Sequence, residues 1–457
     1  MSFLRIIMFL LLLLASLTSA EFLTPLPDQD SSALPDLCQE DTVLSCTLVH
    51  VDLACLNDSA LEFNGTTLTL LDQPAGNNTF TFSSEEGDEA IFTVDNELGA
   101  VWGNVELADG RDFIIEPSLE SCAGCHVVIK ENREAFHEDH KVSPTLEEMR
   151  SDRSTWTELG DLLKKGRTDK TTMVTYTIKV YFTPEVKKSV KNIKTMVDQV
   201  IATTNQGYIN SKIPLRVVLH CMEETTVPEA QLKDLDNFAK YKGGDNSLRG
   251  SADAAALLIT EHDRFCGVGY MPMVPEDKMS TWPFRQLMVS MTTVSCALGT
   301  YTFGHEVSHN MGNDHDKYDK TNKIPYAHGY HIPGTDVRTI MAYVRPEKYG
   351  GGYRKEVNYY SNPSVKFKNV PTGVAGKADA ARMITENRFA IAAVGDESQK
   401  CSTGSGGAGG ATTPSPATTT TSSTSALPTT TASPETTSEG DNYGNYGDNY
   451  GNYYYSG

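Results

Sequence analysis

Positive charge is scarce in this chain. Its 39 lysines and arginines are set against 59 aspartates and glutamates, a formal net charge of −20 over 457 residues. That deficit argues against a general basic surface for nucleic acid or an anionic membrane. Long apolar runs are scarce too. The one of note lies in Met1 to Ala20, where Arg5 precedes the unbroken run Ile6 to Leu14 and Thr18-Ser19-Ala20 has the small-x-small form of a signal-peptidase site. The run is too short to span a bilayer and is followed by polar sequence, so it reads as a removed secretory signal. No second stretch reaches spanning length, and the polar C-terminal end excludes a lipid-anchor tail of the usual kind. The mature protein is expected to be soluble and extracellular.

Cysteines number nine, an odd count. In a secreted chain that implies disulfides and one leftover thiol. Cys38, Cys46, Cys55, Cys122 and Cys125 precede residue 150; Cys221, Cys266, Cys296 and Cys401 follow it. Cys266 and Cys296 flank the segment leading to residues 305–315, so they are expected to pair. By exclusion Cys221 pairs with Cys401, tying the end of the domain back to a core strand.

What the chain does have is His305-Glu306-Val307-Ser308-His309-Asn310-Met311-Gly312-Asn313-Asp314-His315. Residues four apart share a helix face, so His305 and His309 can turn their imidazoles toward one metal ion. Glu306 projects beside it, where a carboxylate can take a proton from bound water. Gly312 lets the backbone leave the helix with positive φ. The chain then turns and brings in His315. Three protein ligands leave a fourth position open, which distinguishes a catalytic zinc from a structural one. A bare His-Glu-x-x-His pair is often just an exposed amphipathic helix. The five-position pattern arises by chance with a probability on the order of 1 in 10,000 or less.

His-Glu-x-x-His-x-x-Gly-x-x-His resembles the metzincin signature, and Thr339-Ile340-Met341-Ala342-Tyr343 resembles the Met-turn of that family. Asp316 after the third histidine resembles the reprolysin or ADAM-like branch, as do the flanking Tyr301 to Gly304 and Tyr360 to Pro363. The resemblance covers about residues 172 to 400 well and the preceding region weakly. It implies a secreted zinc endopeptidase with one catalytic Zn2+ held by His305, His309 and His315, Glu306 as general base, and Met341 as an apolar floor. Asp316 would be structural, near the Met-turn. Met-Ala-Tyr also fits astacins and serralysins, so Tyr343 is either a hydroxyl near the zinc or a packed aromatic, and Asp316 favours the latter. No EF-hand loop is present, and calcium is left open. His328 and His331 read as a surface pair, with a second metal there as the alternative.

The expected fold class is α+β (α/β-like): a metzincin catalytic domain with a twisted mixed sheet and a zinc helix, preceded by a β-rich prodomain. The expected divisions are 1–20 signal peptide, 21–167 prodomain, 168–401 catalytic domain, 402–440 a Ser/Thr/Pro/Gly-rich stalk and 441–457 a Tyr/Gly/Asn-rich tail. Sequons at Asn57, Asn64 and Asn77 mark glycosylation in the prodomain. Asp112 to Pro117 and His126-Val127-Val128 resemble stretches of ADAM-type prodomains. Five cysteines there leave one over, so Cys122 or Cys125 could fill the open zinc position as a cysteine switch; the alternatives are that both are disulfide-bonded or that they bind a metal alone as a CxxC pair. The usual Pro-Lys before such a cysteine is missing. Lys164-Lys165-Gly166-Arg167 reads either as a processing site or as a solvated basic loop.

Alternation predicts a strand over Thr175 to Phe182. Helical spacing from Pro184 through Ile201 predicts one helix. Pro214 to His220 and Ala254 to Ile259 read as buried strands, and Gly267 to Met271 as an edge strand. Val268, Gly269, Tyr270 and Met271 would then hold the substrate's backbone. Arg382 to Val394 predicts a last helix. The tail cannot build a core; its tyrosines suit cross-linking, sulfation or matrix attachment. The expected partners are extracellular proteins or peptides. The rival function is a secreted matrix or adhesive protein in which the protease-like domain only binds; the intact Glu306 speaks for catalysis.

Overall fold

The computed structural model describes residues 21–26, 38, 42–71, 78–118, 125–136, 140–142, 156–271, 287–316, 324–343 and 352–395. Cys122, Cys401, Asn77 and the whole stalk and tail lie outside them. Among the described residues no helix is long and apolar enough to cross a membrane.

The N-terminal region is β-rich, as expected. Nine strands form one antiparallel sheet: β1 (Leu23–Pro25), β2 (Val43–Val51), β3 (Ala60–Phe63), β4 (Thr66–Leu70), β5 (Thr79–Ser83), β6 (Glu89–Asp95), β7 (Ala100–Glu106), β8 (Asp112–Pro117) and β9 (Cys125–Glu131). Their order is β1-β2-β9-β8-β7-β6-β5-β4-β3, so only β1 and β2 depart from a meander. Between β3 and β4, Asn64 and Gly65 both take positive φ, +50° and +81°. That is the backbone demand of a tight hairpin, and Asn-Gly meets it. Asn57 and Asn64 are exposed. One sheet face has its own core, with Phe63, Phe82, Phe92 and Phe113 among its members. The other face gives Leu48, Trp102, Ile114, Val127 and Ile129 to the core of the C-terminal half. Residues on both sides of 167 therefore belong to one compact unit.

That half is built on a mixed sheet. Strand β10 (His140–Val142) precedes β11 (Val174–Phe182), β12 (Leu215–Glu224), β13 (Ala254–Ile259), β14 (Gly267–Tyr270) and β15 (Val289–Thr293). The order is β10-β14-β15-β13-β11-β12. Strands β12, β11, β13 and β15 run parallel, and β14 alone is antiparallel to its neighbour β15. Strand β13 is buried at every position, as parallel strands covered on both faces are.

Helices flank the sheet: α1 (Trp156–Thr168), α2 (Pro184–Ser189), α3 (Ile193–Asn210), α4 (Leu235–Lys240), α5 (Asp245–Arg249), α6 (Val294–Gly299), α7 (Thr302–Asn310) and α8 (Ala380–Ile391). The single helix expected from Pro184 is two. Asn192 caps the second by accepting from Thr195 N, which breaks the run at Val190 to Asn192. Strand β15 and helix α6 were not foreseen: Val289 to Thr293 is short and buried throughout, so it shows no alternation.

Lys164 to Arg167 is not a loop; it is the last turn of α1. That helix lies against α8. Leu163 joins the main core, Lys165 Nζ sits 4.1 Å from the centre of the Phe389 ring, and Gly166 has no room for a Cβ because the Glu386 carbonyl is there. Beyond it Arg388 donates to the Asp169 carbonyl at 2.9 Å, and Lys170 pairs with Glu386 at 3.1 Å. By packing, α1 belongs with the C-terminal half.

The seam between the two sheets is polar and runs along α3. Gln199 is fully buried and donates to Ile91 O (2.7 Å) and Asn104 Oδ1 (2.9 Å). Asn192 and Thr195 donate to Asp95. Asn210 and Asn358 each donate to Glu89, at 2.9 Å. Nearby, Arg133 pairs with Glu106, Asp112 and Glu131, and Lys355 pairs with Asp112. Burial pushes the Glu89 carboxyl up to about 7 and that of Glu131 up to about 8.

Candidate metal centre

Helix α7 presents His305, Glu306 and His309, and it is buried along its whole length. Its apolar residues Phe303 and Val307 sit in the main core, while side-chain bonds hold its backbone. Tyr360 Oη donates to Gly304 O (3.0 Å), and Asn310 Nδ2 donates to the carbonyls of Tyr270, Leu287 and Val289 (2.9, 3.0 and 3.1 Å). The last contacts tie the helix to the ends of β14 and β15.

The helix ends where Gly312 takes φ +96°. The backbone angle demands glycine; a Cβ there would collide only with the movable tip of the Met383 side chain. Asn313 N closes the turn on Ser308 O at 3.1 Å, and His315 follows. The Nε2 atoms of His305, His309 and His315 lie 3.0 to 3.1 Å from one another. All three rings are buried, at 2 % exposure or less. Tetrahedral zinc with bonds of about 2.0–2.1 Å would set its ligand nitrogens roughly 3.3 Å apart. Three imidazole nitrogens meeting this closely in a buried site fit a metal ion of that size. Among the described residues this is the one group of three His, Cys, Asp or Glu side chains at such distances. The His309 ring is oriented by its Nδ1, 2.9 Å from Asn313 O.

Glu306 is fully buried beside β14. Two glycines of that strand make the space. A Cβ on Gly267 would come 2.7 Å from Glu306 Cγ and 2.8 Å from Oε1; on Gly269 it would come 2.7 Å from Glu306 O and 3.1 Å from Oε2. Gly267 was not singled out in the sequence. The signal available was its alternation with Gly269 on one strand face.

The Met-turn follows β16 (Val337–Ile340), which pairs in parallel with β17 (Lys355–Tyr360). Met341 is fully buried with φ +78°, a left-handed backbone that a non-glycine residue adopts only under the constraint of its surroundings. The Tyr343 ring lies 3.8 Å from the His315 ring, centre to centre, so it packs on the third histidine of the cluster.

Three expectations change. Strand β14 is not an edge in the whole chain, because β10 pairs with it in parallel, His140 opposite Val268, Lys141 opposite Gly269 and Val142 opposite Tyr270. The pairing partner is remote in sequence and too short for alternation to reveal. Cys125 is disulfide-bonded, so it offers no thiolate for a cysteine switch, and Cys122 lies outside the described residues. His328 and His331 are not a surface pair: they are buried, at 6 % and 9 % exposure. Asp316 bonds to His331, with Oδ2 2.7 Å from Nε2. Among the other cysteines, Cys266 is bonded to Cys296 and Cys38 to Cys46. Cys221 is disulfide-bonded, and its expected partner Cys401 lies outside the described residues. Cys55 is a buried thiol whose pKa burial raises.

Residues 172–356 match the family model Reprolysin_5 of metallo-peptidase family M12. That stretch is similar to the metallopeptidases of family M12. The metallopeptidase domain is similar to the peptidyl-Asp metalloendopeptidase of Stenotrophomonas maltophilia strain R551-3, 29 % identical over 214 residues, which cover 44 % of this chain and 48 % of that protein. The namesake from Xanthomonas campestris pv. campestris is 28 % identical over 211 residues, 44 % of this chain and 47 % of that one. The namesake from Pseudomonas fragi is 26 % identical over 192 residues, 42 % and 98 %. The chain thus spans about half the length of the Stenotrophomonas and Xanthomonas relatives. Among solved structures, metalloproteinase-II from Bacteroides fragilis aligns with 56 % of this chain and 80 % of its own, at 12 % identity and a TM-score of 0.35, too low to carry an argument.

Proposed function

We propose that this chain is a secreted zinc endopeptidase made as a latent precursor. The observation that carries the reading is the convergence of three buried Nε2 atoms within 3.1 Å of one another, one helix residue away from a buried carboxylate. His305, His309 and His315 would hold the ion. Bound there, zinc supplies a Lewis acid that acidifies water and stabilises negative charge on a carbonyl oxygen. Glu306 accepts the proton of the attacking water on its carboxylate and returns it to the departing amine. Burial against the glycines of β14 keeps that carboxylate in place and dry. The backbone of Val268 to Tyr270 offers an extended peptide a ladder of hydrogen bonds above the helix.

Latency follows from the same strand. β10 occupies the side of β14 that a substrate would need, so the region before Trp156 acts as a pro-region and must leave. The peptidyl-Asp activity of the similar metalloendopeptidases makes Asp-containing peptides the first candidates for substrate. The test is direct: purified matured protein should carry one zinc per chain and cleave peptides, and Glu306→Ala should keep the zinc and lose cleavage. Normal turnover by Glu306→Ala would sink the assignment.

A further inference from the structure

His315 is the member of the cluster that no helix holds. It sits on the loop Asp314 to Asp316, and a loop alone does not keep an imidazole in place. The segment Ala327 to His331 runs beside that loop and bonds to it at three points. Asp314 N donates to Ala327 O at 2.8 Å. His328 Nδ1 donates to the His315 carbonyl at 2.7 Å. His331 Nε2 donates to Asp316 Oδ2 at 2.7 Å. Each acceptor oxygen decides which ring nitrogen carries the proton.

The same segment is bonded to the Met-turn on its other side. Tyr330 N donates to Thr339 Oγ1, and Thr339 N returns a bond to Tyr330 O, both at 2.9 Å. Gly329 lies flat on the Met341–Ala342 peptide, where a Cβ would collide with backbone. Ser361 Oγ holds the His328 carbonyl from behind.

We infer that His328 and His331 are positioning residues that brace the His315 loop against the Met-turn strand, so that the third imidazole meets the other two. The inference rests on the metal reading of the site. It concerns hydrogen bonds and not charge: one histidine fixes the carbonyl of the ligand residue, the other the carboxylate of its neighbour. Partners of this kind orient a metal's ligands, and their removal typically costs about 10- to 100-fold in metal affinity.

The test uses the full chain, stripped with a chelator. Zinc affinity is measured by competition with a chromophoric chelator, and the Co2+-loaded protein gives a visible absorption spectrum. Four variants are compared. His328→Leu and His331→Leu remove the donors. His328→Asn and His331→Gln put an amide nitrogen where Nδ1 and Nε2 stood. The leucine variants are expected to bind zinc at least about tenfold more weakly and to shift the Co2+ bands. The amide variants are expected to stay near wild type in both. Leucine variants with wild-type affinity and spectrum would overturn the inference. So would amide variants that lose as much as leucine, because that would assign the histidines to packing. If leucine prevents folding, the amide pair still decides. Wild-type protein that takes up neither metal would instead overturn the reading of the site.

Discussion

Glu89 should make the precursor less stable as pH rises, and Glu89→Gln should remove that loss. Its carboxylate enters the seam between the two sheets and is met there by two neutral amides, Asn210 and Asn358, with no cation among the described residues bonded to it. Amides donate hydrogen bonds but do not neutralise charge. Burial is the larger effect and lifts the carboxyl to about 7 in the folded chain, against about 4.3 in an unfolded one. The sign follows. Below about pH 4.3 the group is protonated in both states and costs nothing. Between there and about 7 the unfolded chain ionises while the folded one holds its proton, so stability falls across that window and is level above it. A full shift of this size corresponds to about 3–4 kcal/mol. Glu89 keeps some exposed surface, so about 2 kcal/mol is the better expectation. Glutamine has the shape of the protonated acid. The variant should therefore match wild type at pH 4 and exceed it at pH 8, by roughly 2–3 °C in Tm for a unit of this size. The assay is thermal unfolding of the full chain at both pH values, read as the difference between variant and wild type so that Glu106 and Glu131 cancel. Equal destabilisation by glutamine at both pH values would refute the reasoning.

Further expectations concern the site and its frame. Glu306→Gln should lower peptidase turnover by about 10²–10⁴-fold with zinc content unchanged, measured by metal analysis beside a peptide assay. Gly267→Ala should push the Glu306 side chain aside and cut kcat by at least about tenfold, with circular dichroism unchanged. Replacing both Cys266 and Cys296 by serine opens a loop with a sequence separation of 30, which by chain entropy costs about 3–4 kcal/mol, read from denaturant unfolding. A mature form that begins at residue 156 should fold and cleave, whereas one that begins at 168 should lose solubility or melt several degrees lower, because it leaves the face of α8 uncovered.

Much of the site could be read from the chain because its geometry is local. His305, Glu306, His309, Gly312 and His315 lie within eleven residues, and helix periodicity with one glycine turn dictates where each points. Strands β11 and β13 were legible for the same reason: alternation or an unbroken apolar run, bounded by turn residues. What escaped is long-range. Nothing near His140 announces that β10 will pair with β14, since three residues carry no periodicity. His328 and His331 looked like surface residues because their partners, His315 and Asp316, lie thirteen and fifteen positions upstream. The basic stretch Lys164 to Arg167 resembled a cleavage site because charge is visible in sequence, whereas the close approach of Gly166 to Glu386 is not. The leftover cysteine was sought near Cys122 and Cys125, but Cys125 is already bonded and the buried thiol is Cys55.

Helix α1 lying along α8 has a practical consequence. The beginning and end of the hydrolytic unit are neighbours, at a distance from the histidine cluster in the chain's connectivity. A short linker could join them and new termini could be opened in a surface loop elsewhere. An affinity handle attached at either end would share one corner of the molecule. On the proposed maturation, a cut before Trp156 would leave α1 in place on α8 as an N-terminal clasp.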